Sequence, residues 1–195
     1  MIKAKKSLGQ NFLIDKNILE KITNTTYISN KIILEIGPGT GNLTSYILKK
    51  NPKKIFVIEK DSELSSNLEN KFYNQLTIIN EDVLKVDETK LFKEEVTVFG
   101  NLPYNISTEI LSKWIINLKD SFWFECLVLM FQKEVADRII AEFNTSNYGR
   151  LSIICNWKLN IKKICDIEPK AFSPKPKIHS SLLLFYPKQN FVKIN

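Results

Sequence analysis

The stretch Glu35-Ile36-Gly37-Pro38-Gly39-Thr40-Gly41 constrains this chain more than any other, because it holds three of the six glycines within five positions. It follows an apolar run, Lys31 to Ile36, and precedes a helical pattern, Asn42 to Lys50. Glycine permits left-handed backbone and lets the main chain approach another group with no Cβ between them. A strand, a glycine loop and a helix in that order open a doubly wound α/β sheet, and such sheets bind ligands at the carboxyl ends of their strands.

The remaining chain keeps that alternation. Nearly continuous apolar runs at Lys54 to Ile58, Leu76 to Ile79, Val96 to Phe99 and Phe122 to Phe131 read as strands buried on both faces. Helical patterns lie between and after them, at Ser62 to Phe72, Ser107 to Leu118, Lys133 to Phe143 and Gly149 to Trp157. A first helix is expected from Asp15, its cap, to about Asn24. Lys158 to Ile167 and Ile178 to Phe185 close the chain as an antiparallel pair. The expected fold is therefore α/β, with a mostly parallel seven-stranded sheet and a terminal antiparallel hairpin.

At 195 residues and 44% hydrophobic, the chain has material for one sizeable core. Its net charge of +7 rests on lysine, since Arg138 and Arg150 are the only arginines. An Asn- and Ile-rich composition accounts for part of the lysine excess. The clustering remains: Lys3, Lys5 and Lys6 near one end, then Lys158, Lys162, Lys163, Lys170, Lys175 and Lys177 near the other, which points to a polyanionic partner. Three cysteines, Cys126, Cys155 and Cys165, odd in number and without C-x-x-C spacing, argue against a disulfide framework and a zinc site, and fit a reducing cytoplasm. The longest apolar run is too short to span a bilayer, and polar residues interrupt what would be an export signal. We expect a cytoplasmic monomer with no membrane or metal partner.

Three strand ends carry chemistry. Glu59 ends Phe56-Val57-Ile58, where a buried carboxylate needs donors and a pair of ribose hydroxyls would supply them. After the third strand, Glu81 or Asp82 can accept from an exocyclic amine or serve the turn. The fourth strand runs into Gly100-Asn101-Leu102-Pro103-Tyr104-Asn105-Ile106-Ser107-Thr108. Ser107 or Thr108 suits the cap of the next helix, and proline removes an N–H, but turn chemistry leaves Tyr104 unexplained. Among the less telling residues, His179 reads as a surface residue at a strand end, and Trp114, Trp123 and Trp157 as core.

The glycine spacing is G-x-G-x-G, with Asn42 where a dinucleotide fingerprint places its third glycine. It resembles motif I of the S-adenosylmethionine-dependent methyltransferases. Lys6 to Leu13, Asn101 to Ser107, Gln132 to Arg138, Tyr148 to Ser152 and Phe172 to Lys177 occur in the order seen in the rRNA adenine N6-dimethyltransferases. The match spans nearly the whole chain and is most similar to the bacterial small-subunit branch. The resemblance implies a Rossmann-like methyltransferase domain over residues 1–195, with 1–28 covering the cofactor. It implies S-adenosylmethionine contacts from Asn11, Leu13, Gly37, Gly39, Gly41, Glu59, Asp82 and Asn101.

Catalysis would fall to Asn101, Leu102, Pro103 and Tyr104. The Asn101 oxygen and a carbonyl of Leu102 or Pro103 would take the two N–H bonds of a target amine, with the Tyr104 ring stacked on the base. No strong general base is required. Phe172 matches the position whose ring closes on the second face of the base, and equally suits a core anchor. The implied substrate is two adjacent adenosines near the 3′ end of small-subunit rRNA in an immature ribosomal particle. A large-subunit methyltransferase of the macrolide-resistance type and a non-catalytic nucleic-acid-binding relative stay open as alternatives. Relatives continue past the last strand into a small helical domain that this sequence does not include.

Overall fold

A computed structural model describes residues 4–5, 8–118 and 122–192. Lys3, Lys6 and Ser7, named above for charge and motif, lie outside the described residues.

The strands are β1 (Phe12–Leu13), β2 (Ile32–Ile36), β3 (Lys54–Ile58), β4 (Thr77–Ile79), β5 (Val96–Asn101), β6 (Phe124–Gln132), β7 (Leu159–Ile167), β8 (Phe172–Ser173) and β9 (Ser180–Pro187). The helices are α1 (Lys16–Thr23), α2 (Asn42–Leu48), α3 (Ser62–Lys71), α4 (Glu88–Leu91), α5 (Ser107–Ile116), α6 (Lys133–Ile139) and α7 (Arg150–Lys158). Seven strands form one sheet in the order β4-β3-β2-β5-β6-β9-β7, parallel from β4 to β6. β9 runs antiparallel to both β6 and β7. The two terminal strands do pair, but residues 168–179 between them hold a 3-10 turn and β8 rather than a tight turn.

Apolar clusters cover both faces of the sheet, which is why its central strands lack alternation. Leu34, Val98, Leu127 and Leu129 face one cluster; Ile33, Val57, Phe99 and Val128 face the other. Trp114 and Trp123 are core as expected, and Trp157 is half-buried. His179 is exposed, as the sequence predicts.

One helix end and one cap differ most tellingly from expectation. α6 stops at Ile139, whose side chain is buried, and the chain turns away at Ile140; Asn144, further on, is left-handed at φ 66°. α5 is capped by neither Ser107 nor Thr108. Its cap is Ile106, and Ser107 is the first helical residue, buried, with its hydroxyl donating to the Tyr104 carbonyl at 3.3 Å.

Candidate active site

The carboxyl ends of β2, β3 and β5 converge on a cavity of about 260 Å³. Its roof is the segment from Leu8 to Leu13. Sequence reasoning placed Asn11 and Leu13 here and missed what holds them. β1 pairs with β8, Leu13 opposite Phe172 and Phe12 opposite Ser173, so two short strands clasp the roof to the loop before β9. Asn42, at the third-glycine position of other nucleotide loops, donates to the Leu13 carbonyl at 2.8 Å. Lys5 and Gln10 both reach Asp61, the N-cap of α3, at 2.8 and 3.0 Å.

The three glycines are all left-handed, yet they do different work. At Gly37 an added Cβ would meet only the Asn101 carbonyl at 3.8 Å, so the loop there leaves open space above its backbone. At Gly39 it would meet the Phe12 ring at 2.8 Å, and at Gly41 it would run into the Phe72 ring. Gly37 and Gly39 line the cavity. Gly41 does not; its lack of a side chain admits α3 and its flanking Phe72.

Glu59 is 7% exposed at the end of β3. One carboxylate oxygen accepts from Gly39 N–H at 3.2 Å and the other from Asp61 N–H at 2.9 Å. Burial raises its pKa, and the two backbone donors oppose the rise. Each oxygen keeps a lone pair for a further donor. Lys60, its sequence neighbour, pairs instead with Asp82 at 2.8 Å. That lysine holds the Asp82 carboxyl below its usual range, and the second Asp82 oxygen accepts from Leu84 N–H at 3.0 Å. Glu81 is exposed and, among the described residues, accepts only from the Asp82 N–H, so Asp82 is the half-buried acid of this wall.

Glu35 is fully buried beneath the glycine loop, and burial pushes its pKa to about 7 despite a hydrogen bond from the Thr44 hydroxyl at 2.7 Å. The sequence marks it only as the acidic residue before the glycine loop; its complete burial depends on α2 folding back over β2.

At the end of β5, the Asn101 amide nitrogen donates to the Asn11 carbonyl at 2.8 Å. The roof therefore fixes the amide, leaving Oδ1 as its free acceptor. Pro103 O accepts from Ile106 N–H at 3.1 Å, whereas the Leu102 carbonyl takes no hydrogen bond among the described residues. Of the two carbonyls the sequence left open, Leu102 is the free one. Tyr104 lies on the same wall with its ring half-buried, and its hydroxyl bonds Ser180 Oγ at 2.7 Å. Ser180, wholly buried at the start of β9, was not anticipated.

Phe172 is the residue that the structure sets apart. It is 3% exposed, packed with Leu13 and Ala171 beneath the clasp, and off the cavity wall. Its strand pairing with Leu13 turns the ring inward, so of its two expected roles the core anchor is the one seen.

A second missed feature braces the site. Glu88, buried in α4, accepts from Lys113 at 2.9 Å and from the Trp114 indole at 2.7 Å, and Lys113 also binds the Val83 and Val86 carbonyls. The loop after Asp82 is thereby tied to α5, the helix that follows Asn101 to Tyr104.

A sheet of this order, with a glycine loop after its central strand and a carboxylate ending the next, defines a Rossmann-like methyltransferase. A family model described as ribosomal RNA adenine dimethylase matches residues 1–194. Ribosomal RNA small subunit methyltransferase A of Pelagibacter ubique is 67% identical over 193 residues, covering 99% of this chain and 74% of that protein. The protein of the same name from a Wolbachia of Drosophila simulans is 47% identical over 191 residues, covering 96% and 69%. Among solved structures, a dimethyladenosine transferase from Plasmodium falciparum superposes with a TM-score of 0.81 at 35% identity, over 91% of this chain and 64% of that one. A 23S rRNA methyltransferase, ErmE, shares the fold with a TM-score of 0.76 at 22% identity. The chain belongs to the ribosomal RNA adenine dimethylase family and is a methyltransferase that uses S-adenosylmethionine.

Proposed function

We propose that this enzyme dimethylates the N6 amines of two adjacent adenosines near the 3′ end of small-subunit rRNA, in an immature particle. The observation that carries the chemistry is the Asn101 amide on the cleft wall, whose nitrogen is committed to the Asn11 carbonyl so that its oxygen is the end left to accept, next to a Leu102 carbonyl that takes no hydrogen bond among the described residues. The small-subunit substrate is supported by the names of the relatives and their identity over nearly the whole chain.

The residues present fit the cofactor. Open space above Gly37 accommodates a ligand backed by main chain, Glu59 retains two acceptor positions for ribose hydroxyls, and Asp82 accepts from an adenine amine. Asn11 and Leu13 close over it; Gly41 acts by admitting α3 rather than by contact. When bound, S-adenosylmethionine supplies an activated sulfonium methyl. Asn101 Oδ1 and Leu102 O then accept the two N–H bonds of the target amine, free its lone pair from the ring and stabilise the positive charge that develops on nitrogen. Tyr104 stacks on the base, held by Ser180 at its hydroxyl. Pro103 offers no N–H to compete at this spot. Positioning is the main task, since a nucleophile held in line about 3 Å from an activated methyl needs no strong base.

We further propose that residues 1–28 act as the cofactor cover and that the enzyme works as a cytoplasmic monomer. No helix among the described residues is long and apolar enough to cross a membrane. Methyl transfer to purified immature small subunits, mapped by mass spectrometry, tests the reading. Two dimethylated adenosines near the 3′ end are expected. Methylation of large-subunit RNA instead, or RNA binding without any transfer, would favour one of the rivals.

A further inference from the structure

The loop joining α6 to α7 presents a surface that methyl transfer does not use. Phe143 is 74% exposed and Tyr148 38% exposed, and their rings meet edge to face with centroids 5.6 Å apart. Such rings in water contribute little to folding, so their exposure calls for a partner. They are not on a slack segment. Thr145 N–H and hydroxyl both donate to the Glu142 carbonyl, Tyr148 N–H donates to the Thr145 carbonyl at 3.0 Å, and Gly149 N–H is taken by Ser152 Oγ at 2.9 Å.

The charge around the pair is as particular as the rings. In a chain of 28 basic residues the only two arginines flank this loop, Arg138 in the last turn of α6 and Arg150 at the first position of α7, both exposed. Arginine offers a planar fork for phosphate and stacks on bases, which the lysines elsewhere do not. The loop also lies near the chemistry. α6 begins where β6 ends, Lys133 N–H donates to the His179 carbonyl, and the next residue, Ser180, holds Tyr104. Seven helical residues then carry the chain about 10 Å from that rim.

We propose that Phe143 and Tyr148 form a stacking platform for unpaired bases of the RNA substrate, with Arg138 and Arg150 on the adjoining phosphates. This rests on the rRNA reading above. An edge-to-face pair keeps at least one face of each ring open, and every base has a face to offer, so the platform grips single strands without reading sequence. Glu142 within the loop keeps its charge mixed.

Fluorescence anisotropy with a short labelled unpaired RNA tests this on the full chain. Phe143→Ala and Tyr148→Ala should each weaken RNA binding about tenfold while leaving its salt dependence unchanged. Arg138→Gln and Arg150→Gln should each lower the salt slope by about 0.7. Phe143→Trp should bind at least as well as the parent. Unchanged RNA affinity in the Phe143→Ala, Tyr148→Ala double variant would overturn the proposal. So would a loss seen only with ribosomal particles, which would assign the loop to a protein partner. Asn101→Ala separates this from the catalytic reading, since it should cut transfer by roughly 10²–10³ and keep RNA binding. A parent chain that binds RNA through the loop but methylates nothing would sink that reading and leave the platform standing.

Discussion

Glu35 sets a pH dependence that is readable from its position. The carboxyl is fully buried under the glycine loop, and its pKa is raised from 4.5 to about 7. Because the folded state holds this proton more tightly than the unfolded chain, the associated stability is fully present below about pH 4.5 and is lost as the pH rises through 7. A rise of two and a half pH units corresponds to about 3 kcal/mol, all of it forfeited by pH 8. Glu35→Gln removes the ionisation yet keeps an amide oxygen to accept the Thr44 hydroxyl. Urea unfolding at pH 5, 6, 7 and 8 should therefore show the parent losing up to about 3 kcal/mol relative to the variant, most of it between pH 5 and 7. Glu35 also borders the cavity, so positive charge bound there favours its ionised form and parent affinity for S-adenosylmethionine should rise with pH through 7. Parallel stability profiles for parent and variant would refute the argument, because they would mean Glu35 titrates alike in both states.

Three further outcomes follow from the cleft. Glu59→Ala removes two charge-assisted hydrogen bonds of roughly 1.5–3 kcal/mol each, so calorimetry should show S-adenosylmethionine binding at least about a hundredfold weaker. Asn101→Ala should hold cofactor affinity within about tenfold while single-turnover methylation drops by roughly 10²–10³. Tyr104→Phe and Ser180→Ala should each slow methylation about two- to tenfold, and the double variant should match either single one, because both remove one bond; Tyr104→Ala should be worse, and equal losses for Phe and Ala would deny the stacking role.

The elements legible in the sequence are those whose signal is local and long. Lys54–Ile58 appears with its predicted bounds, and β2 and β4 within one residue of theirs, because runs buried on both faces need no partner to be recognised. α1 is as plain, with Asp15 accepting from Asn17 and Ile18 N–H at its start. α4, four residues long, has no room for a helical period, and Glu88 becomes significant only when Lys113 and Trp114 arrive from 25 residues away. Gly41 shows the limit from the other side. Its spacing marks the loop, but the packing demand at that glycine, the Phe72 ring against its backbone, is something no spacing can tell.

The roof carries the same lesson into function. β1 and β8 are two residues each and lie 160 positions apart, so neither has a periodicity to detect. That clasp, together with the Asn42 bond to the Leu13 carbonyl and the Gln10 bond to Asp61, places the Asn11 carbonyl, and the Asn11 carbonyl in turn orients the two ends of the Asn101 amide. An amide turned around would aim N–H groups at an amine that needs acceptors, and the proposed transition state would lose its main contact. The motif Asn101-Leu102-Pro103-Tyr104 thus names the chemistry, but its polarity is set by a strand pair at the far end of the chain. Phe172, buried and paired with Leu13 in that clasp, anchors the roof whose Asn11 carbonyl holds the Asn101 amide.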